Sequence, residues 1–186
     1  MITEGNNKVL GIIGSPRKGG NTEVLVDEVL SGAEEAGATV TKVALRDLSI
    51  SPCRACNGCR QTGKCVQDDD MVRLIDLMEQ NDVWVIGTPI YWWSVTAQVK
   101  AFIDRWYGLD QSIFQGKQLV LTIPMGGHDE YYARHTIGMF EDICRYLGMQ
   151  HLQTIVAPGM NGKGSVREFP QYLELARTAG LQVFGH

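Results

Sequence analysis

The sequence is as informative in what it lacks as in what it holds. No stretch approaches the ~20 uninterrupted apolar residues of a membrane-spanning helix. The richest run, Val83 to Val95, is broken by Gly87, Thr88, Pro89 and Ser94. The opening Met-Ile-Thr-Glu-Gly-Asn-Asn has neither the basic nor the apolar part of a secretory leader, so a cytoplasmic protein is expected. Positive charge is not in excess: 17 Lys plus Arg against 21 Asp plus Glu leave a net charge of −4. Binding to nucleic acid releases counterions only where basic charge is concentrated, so no nucleic-acid partner is expected. Two phosphate-binding motifs are also missing. A P-loop needs Lys then Ser/Thr after its second glycine, whereas Gly19 is followed by Gly20 and Asn21. A dinucleotide fingerprint needs G-x-G-x-x-G, and the first strand offers only Gly11-Ile12-Ile13-Gly14.

What is present suits one globular domain over residues 1–186. The composition, 44% hydrophobic and 20% charged, is that of an ordinary folded chain. A domain of this size buries ~70% of its unfolded surface and needs no disulfide staples. Apolar periodicity predicts strands at Lys8 to Ile13, Thr39 to Leu45, Val83 to Ile86, Gln118 to Ile123 and His151 to Ala157. Between them lie helical patterns from Thr22 to Gly37, after Asp68-Asp69-Asp70, and over Ala97 to Trp106, Tyr132 to Leu147 and Val166 to Ala179. Trp106 and Tyr107 continue the helical spacing of Phe102 and Ile103 and are expected in the core or an interface. Five apolar strands alternating with helices predict a doubly wound α/β domain, a parallel sheet covered on both faces. Such sheets bind ligands at the carboxyl ends of their strands, here the loops 14–22, 87–95 and 124–130.

The first of these loops is rich in donors. Ser15, Asn21 and Thr22 offer side-chain hydrogens, Arg17 a planar cation, and the helix start its unpaired N–H groups. Glycines such as Gly20 let the backbone approach a ligand. The set suits a terminal phosphomonoester better than a pyrophosphate; the plainer alternative is a solvated turn with an ordinary cap. The second loop, Thr88-Pro89-Ile90-Tyr91-Trp92-Trp93-Ser94, carries three large aromatics in a row. These suit a planar heterocycle, or for Trp92 and Trp93 an interface or core edge. In the third loop Gly126 and Gly127 bring backbone N–H groups toward the polar edge of such a ring, and His128 is expected to face solvent.

Cysteine is scarce but clustered: four of five (Cys53, Cys56, Cys59, Cys65) lie within one short segment. Such spacing points to metal or redox chemistry rather than a disulfide framework. Three closely spaced thiols with a fourth farther on reach the corners of an iron–sulfur cubane. Free or structural thiols, a dithiol switch and a four-thiolate zinc site are the alternatives. Cys144, between Ile143 and Leu147, reads as a buried hydrophobe.

Gly14-Ser15-Pro16-Arg17 with Gly20-Asn21-Thr22, and Thr88-Pro89-Ile90-Tyr91 leading into Gln98-Val99-Lys100-Ala101-Phe102-Ile103-Asp104-Arg105, resemble the flavodoxin-like NAD(P)H-dependent FMN reductase family. The cysteine motif, within a loop at 52–66, is similar to that of the family's iron–sulfur flavoprotein branch. The resemblance implies a flavodoxin-like five-stranded parallel sheet of order 2-1-3-4-5 with helices on both faces, and FMN as cofactor. Ser15, Arg17, Gly20, Asn21 and Thr22 would then meet the phosphate. Pro89, Ile90, Tyr91, Trp92 and Ser94 would line the ribityl chain and ring, and Gly126 and Gly127 the pyrimidine edge. Cys53, Cys56, Cys59 and Cys65 would hold a [4Fe–4S] cluster, its charge partly offset by Arg54, Arg60 and Lys64. NAD(P)H or ferredoxin would be the electron donor, a small molecule the acceptor, and a homodimer or homotetramer the assembly. The competing functions are an NAD(P)H-dependent FMN or quinone reductase without a cluster, and a non-catalytic module that binds a phosphorylated ligand.

Overall fold

The structure, a computed structural model, describes residues 7–184; the opening segment judged above for a leader falls, but for its last residue, outside them. In chain order the regular elements are β1 (Lys8–Ile13), α1 (Asn21–Glu35), β2 (Thr39–Ala44), α2 (Gly58–Thr62), α3 (Met71–Gln80) and β3 (Val83–Gly87). There follow α4 (Ala97–Asp104), β4 (Gln118–Pro124), α5 (Arg134–Leu147), β5 (Gln150–Ala157) and α6 (Pro170–Gln182). All strand pairs are parallel, in the order β2-β1-β3-β4-β5. The five predicted strands are thus the five observed.

The two-residue period of the strands sorts their side chains between two cores. Val9, Ile13, Val83, Val85 and Val120 pack against α1 and α6. Leu10, Ile12, Trp84, Ile86 and Leu121 pack against α3, α4 and α5. Trp84 is fully buried, its indole N–H shared between the Met78 and Asn81 carbonyls, each at 3.2 Å. Trp106 joins this core through ring contacts with Trp84, Phe102 and Phe114. Tyr107 does not: it is half exposed and its hydroxyl donates to Asn57 Oδ1 at 3.2 Å, in the cysteine segment. Among the described residues no helix is long and apolar enough to cross a membrane.

Helix ends differ from the periodic pattern for local reasons. The pattern over 166–179 divides into a short 3-10 turn, Ser165–Glu168, and α6, because Pro170 has no N–H to give and fits the first helical turn. The pattern over 97–106 leaves the α conformation at Asp104 and tightens into a 3-10 turn, Arg105–Gly108. At α3 the N-cap residue is Asp70, but the first helical N–H is served by its neighbour Asp69, whose Oδ1 accepts from Met71 N–H at 3.1 Å. Asp70 instead turns back to accept from Ser49 N–H at 2.6 Å.

Candidate functional site

Because every strand is parallel, the segments after β1, β2, β3, β4 and β5 all leave the same edge of the sheet. The chain passes from β1 to α1 on one face and from β3 to α4 on the other, which opens a crevice between those neighbours. A depression of about 180 Å³ lies there, lined by Ser15, Arg17, Thr22, Ile90, Met125 and Lys163 among others. A second, also about 180 Å³, shares Ile90, Met125 and Gly126 with it and continues toward Trp92, Trp93 and Tyr132. The two form one trough, polar at the α1 end and aromatic at the other.

At the polar end Gly20 is the extended N-cap of α1, and no side chain caps the helix. The first-turn N–H groups therefore face the depression with the positive end of the helix dipole. Ser15 and Thr22 are buried and both line it. Ser15 Oγ accepts from Arg17 N–H at 3.2 Å, leaving its own hydrogen to donate. Glu23 secures the loop from outside: it accepts from Gly19 N–H at 2.7 Å and pairs with Arg46 at 3.1 Å. This donor set fits a phosphomonoester.

Asn21 has another task than the one expected of its side chain. Its amide donates to the Gly162 carbonyl at 2.8 Å and the Met160 carbonyl at 3.3 Å, and its Oδ1 accepts from Val166 N–H at 3.0 Å. Both ends are engaged with the segment after β5, so Asn21 offers the depression its backbone. That segment supplies Met160, Asn161 and Lys163 to the lining, residues the sequence reading did not single out. The signal was available: Gly159-Met160-Asn161-Gly162-Lys163-Gly164 is a glycine-rich loop at a fourth strand terminus.

In the second loop Pro89, Ile90 and Tyr91 line the first depression. Trp92 lines only the second, with 90% of its surface exposed. Ser94 lines neither. It closes a tight turn in which Tyr91 and Ser94 exchange N–H to carbonyl bonds at 2.9 and 3.1 Å. Trp92 and Trp93 are the two central residues of that turn, both left-handed with φ of 50° and 62°. Trp93 meets Tyr132 edge to face at 6.3 Å, forming the aromatic wall. Gly126 lines both depressions, and Gly127 the outer one. A Cβ on Gly127 would fall 2.5 Å from the Tyr132 ring, so only glycine permits that wall. His128 is exposed, as expected.

The cysteine segment leaves the same edge after β2. Cys53, Cys56, Cys59 and Cys65 all line one small depression of about 20 Å³ with Arg105, Tyr107 and Gly108, and none forms a disulfide. Ala55 and Asn57 turn the chain between the thiols with φ of 52° and 58°. A Cβ on Gly108 would stand 3.6 Å from Cys59 Sγ and 3.7 Å from Cys65 Cβ, so the missing side chain leaves space facing two of the four. Among the described residues no three Cys, His, Asp or Glu side chains gather closely enough for a single metal ion. Arg54, Arg60 and Lys64 are exposed; the cation buried against the thiols is Arg105. Burial opposes its charge, but Asp69 and the nearby Cys65 more than restore it, so the guanidinium is held above its ordinary range. Burial likewise opposes ionisation of Asp69, yet the Arg105 hydrogen bond, the Ser51 and Met71 N–H groups and the Arg105 charge hold it below the usual carboxylate range.

Sheet order and crevice together define a flavodoxin-like α/β protein. The chain belongs to the NADPH-dependent FMN reductase family, which it matches over residues 7–161. It is 37% identical over 140 residues to an iron-sulfur flavoprotein of Archaeoglobus fulgidus, covering 75% of this chain and 60% of that one. The match thus spans about 60% of that relative's length. An iron-sulfur flavoprotein of Methanosarcina thermophila is 34% identical over 143 residues, covering 76% of this chain and 75% of the other. Among solved structures, an NAD(P)H:quinone oxidoreductase from Methanothermobacter marburgensis shares the fold with a TM-score of 0.76, at 20% identity over 96% of each chain.

Proposed function

We propose that this chain is an FMN-dependent oxidoreductase of the iron–sulfur flavoprotein kind, carrying electrons between a low-potential donor and a small acceptor. The observation that carries the reading is the polar-to-aromatic trough over the β1/β3 crevice. One end is built for a phosphomonoester, and the other offers a flat apolar wall. FMN, when bound, supplies hydride and single-electron chemistry, which explains why the trough needs no nucleophile or acid–base pair of its own. The chain's part is to bind and orient. Ser15, Thr22 and the α1 N-terminus hold the phosphate, Arg17 and Lys163 neutralise it, and Asn21 keeps the segment bearing Lys163 in place. Ile90 and Met125 exclude water from the middle of the trough. Gly126 and Gly127 bring backbone N–H groups to the polar edge of the ring, where preorganised donors favour a gain of negative charge.

Four thiols on one depression are the donor set of a [4Fe–4S] cluster, which would supply one-electron transfer. The depression holds little more than a water-sized sphere. Seating a cubane therefore needs the exposed Cys53 and Cys56 to swing outward, while Gly108 leaves room on the other wall. Helix α4 begins beside the aromatic loop and ends at Asp104, immediately before Arg105; its 8 residues span about 12 Å. One rigid element thus ties the two sites together.

Anaerobic purification with flavin, iron and sulfide assays tests this. Flavin with iron and sulfide near four per chain is expected; full flavin with neither iron nor sulfide would contradict the cluster. In that event the small cysteine depression favours the second reading, an NAD(P)H-dependent FMN or quinone reductase whose thiols hold no metal. Stopped-flow mixing separates the two. Fast flavin bleaching by NADH or NADPH supports the second, and reduction by ferredoxin alone supports the first.

A further inference from the structure

The cysteine segment is a loop with a closed neck, and one side chain closes it. Arg105 Nη1 donates to Asp69 Oδ2 at 2.6 Å and to the Ser51 carbonyl at 3.0 Å; Nη2 reaches the Gln67 carbonyl at 3.5 Å. Asp69 Oδ2 in turn accepts from Ser51 N–H at 3.0 Å. Ser51 stands two residues before Cys53, and Gln67 two after Cys65, so the guanidinium grips both ends of the thiol-bearing segment. Its side chain is 1% exposed and that of Asp69 10%. The inner face of the guanidinium lines the thiol depression beside Cys65, and its Nε is buried without a partner among the described residues.

From this arrangement we infer that Arg105 is a positioning residue for the cysteine site, whose buried charge raises the reduction potential of a cluster held there while its fork sets the loop that carries the ligands. This rests on the cluster reading above. Four thiolates make such a site anionic, and each electron added makes it more so. A nearby cation therefore favours the reduced form. Arg54, Arg60 and Lys64 are solvated, and water and salt screen them. Arg105 acts through protein, where the effective dielectric constant is ~20 rather than ~80, so its interaction is about fourfold stronger at equal distance. Asp69 opposes it: Arg105 lines the thiol depression, whereas Asp69 does not and is bonded to Arg105 and to Ser51 at the neck.

That opposition supplies the test. The full chain, loaded with FMN and reconstituted anaerobically with iron and sulfide, is titrated potentiometrically with the cluster followed by electron paramagnetic resonance. Arg105→Gln is expected to lower the cluster midpoint, and Arg105→Lys, which restores the charge without the fork, to recover most of it. Asp69→Asn keeps one acceptor oxygen, enough for Ser51 or Met71 but not both, removes the negative charge, and is expected to raise the midpoint. Shifts of opposite sign are not what simple loosening of the loop produces. If Arg105→Gln does not fold, the sign for Asp69→Asn decides alone: upward supports the inference, unchanged or downward overturns it. Wild-type protein holding neither iron nor sulfide would overturn the cluster reading and the inference together. Loaded wild type with both variants at its potential, or both shifted the same way, would overturn the inference only.

Discussion

The Thr96 hydroxyl donates to the Gly14 carbonyl at 2.6 Å, a fully buried bond between residues 82 positions apart. It joins the end of the phosphate-side strand to the start of α4. The same oxygen caps that helix by accepting from Val99 N–H at 3.3 Å. Two loops that must face one ligand are thus held by one side chain. Thr96→Val leaves a buried carbonyl unpaired and the helix uncapped, an expected loss of roughly 2–4 kcal/mol in stability. Denaturant unfolding measures the loss, and FMN titration should show weaker binding. Thr96→Ser, which keeps the hydroxyl, should restore both.

Asn21 makes a complementary prediction. Its amide binds the segment after β5 rather than the phosphate, and that segment brings Met160 and Asn161 as well as Lys163 to the depression, so Asn21→Ala should weaken riboflavin as well as FMN, and FMN the more. Ser15→Ala and Arg17→Ala, which touch only the phosphate end, should weaken FMN and leave riboflavin nearly unchanged. Fluorescence quenching of the two flavins by each variant gives the ratio directly.

These positions also mark how far the sequence could be read. The five strands follow from apolar runs such as Lys8–Ile13 and Val83–Gly87, which are buried on both faces; their order comes from the resemblance, since no apolar run carries it. The donor-rich loop after β1 stood out in the sequence because its polar side chains, Ser15, Arg17, Asn21 and Thr22, lie close together in the chain. The role of Asn21 was not, since its partners lie about 140 residues away. Arg105 was hidden differently. It was visible as part of a motif, but only the 3-10 turn after α4 aims it at the cysteines, and that turn leaves no periodic signal. Exposed Arg54, Arg60 and Lys64 stood nearer in the sequence and looked like the compensating charges. Burial, which decides between them, belongs to the folded chain.

The Trp92-Trp93 turn combines two left-handed residues of the largest size, a strained arrangement of ~1–3 kcal/mol per residue. Asn-Gly is the pair that favours this turn. The double variant Trp92→Asn, Trp93→Gly is therefore expected to unfold at the same or a higher temperature despite losing the Tyr132 contact. Its KM for a planar quinone should rise several-fold with kcat retained, as when binding common to ground and transition states is removed. Calorimetry and steady-state kinetics check the two halves.

Cys144 faces the core from α5, and burial with the nearby Glu141 charge pushes its thiol up to about 11. An unfolded thiol ionises near ~8.5. The native state thus keeps a proton that the unfolded state releases. The contribution to stability is complete below the unfolded value and falls as pH rises from there through about 11. Thiol titration of reduced, metal-free protein at pH 8 should count four accessible groups quickly and the fifth only on unfolding. Cys144→Ala should flatten the decline in stability at alkaline pH.

The account depends most on the phosphate end of the trough, so the decisive measurement is the affinity of the wild-type chain for FMN against riboflavin. Charge-assisted hydrogen bonds contribute ~1.5–3 kcal/mol each. Two of them acting on the phosphate predict one flavin per chain with FMN bound at least ~100-fold more tightly, a margin that narrows as salt is added. Equal affinities for the two flavins, or no binding of either, would contradict it.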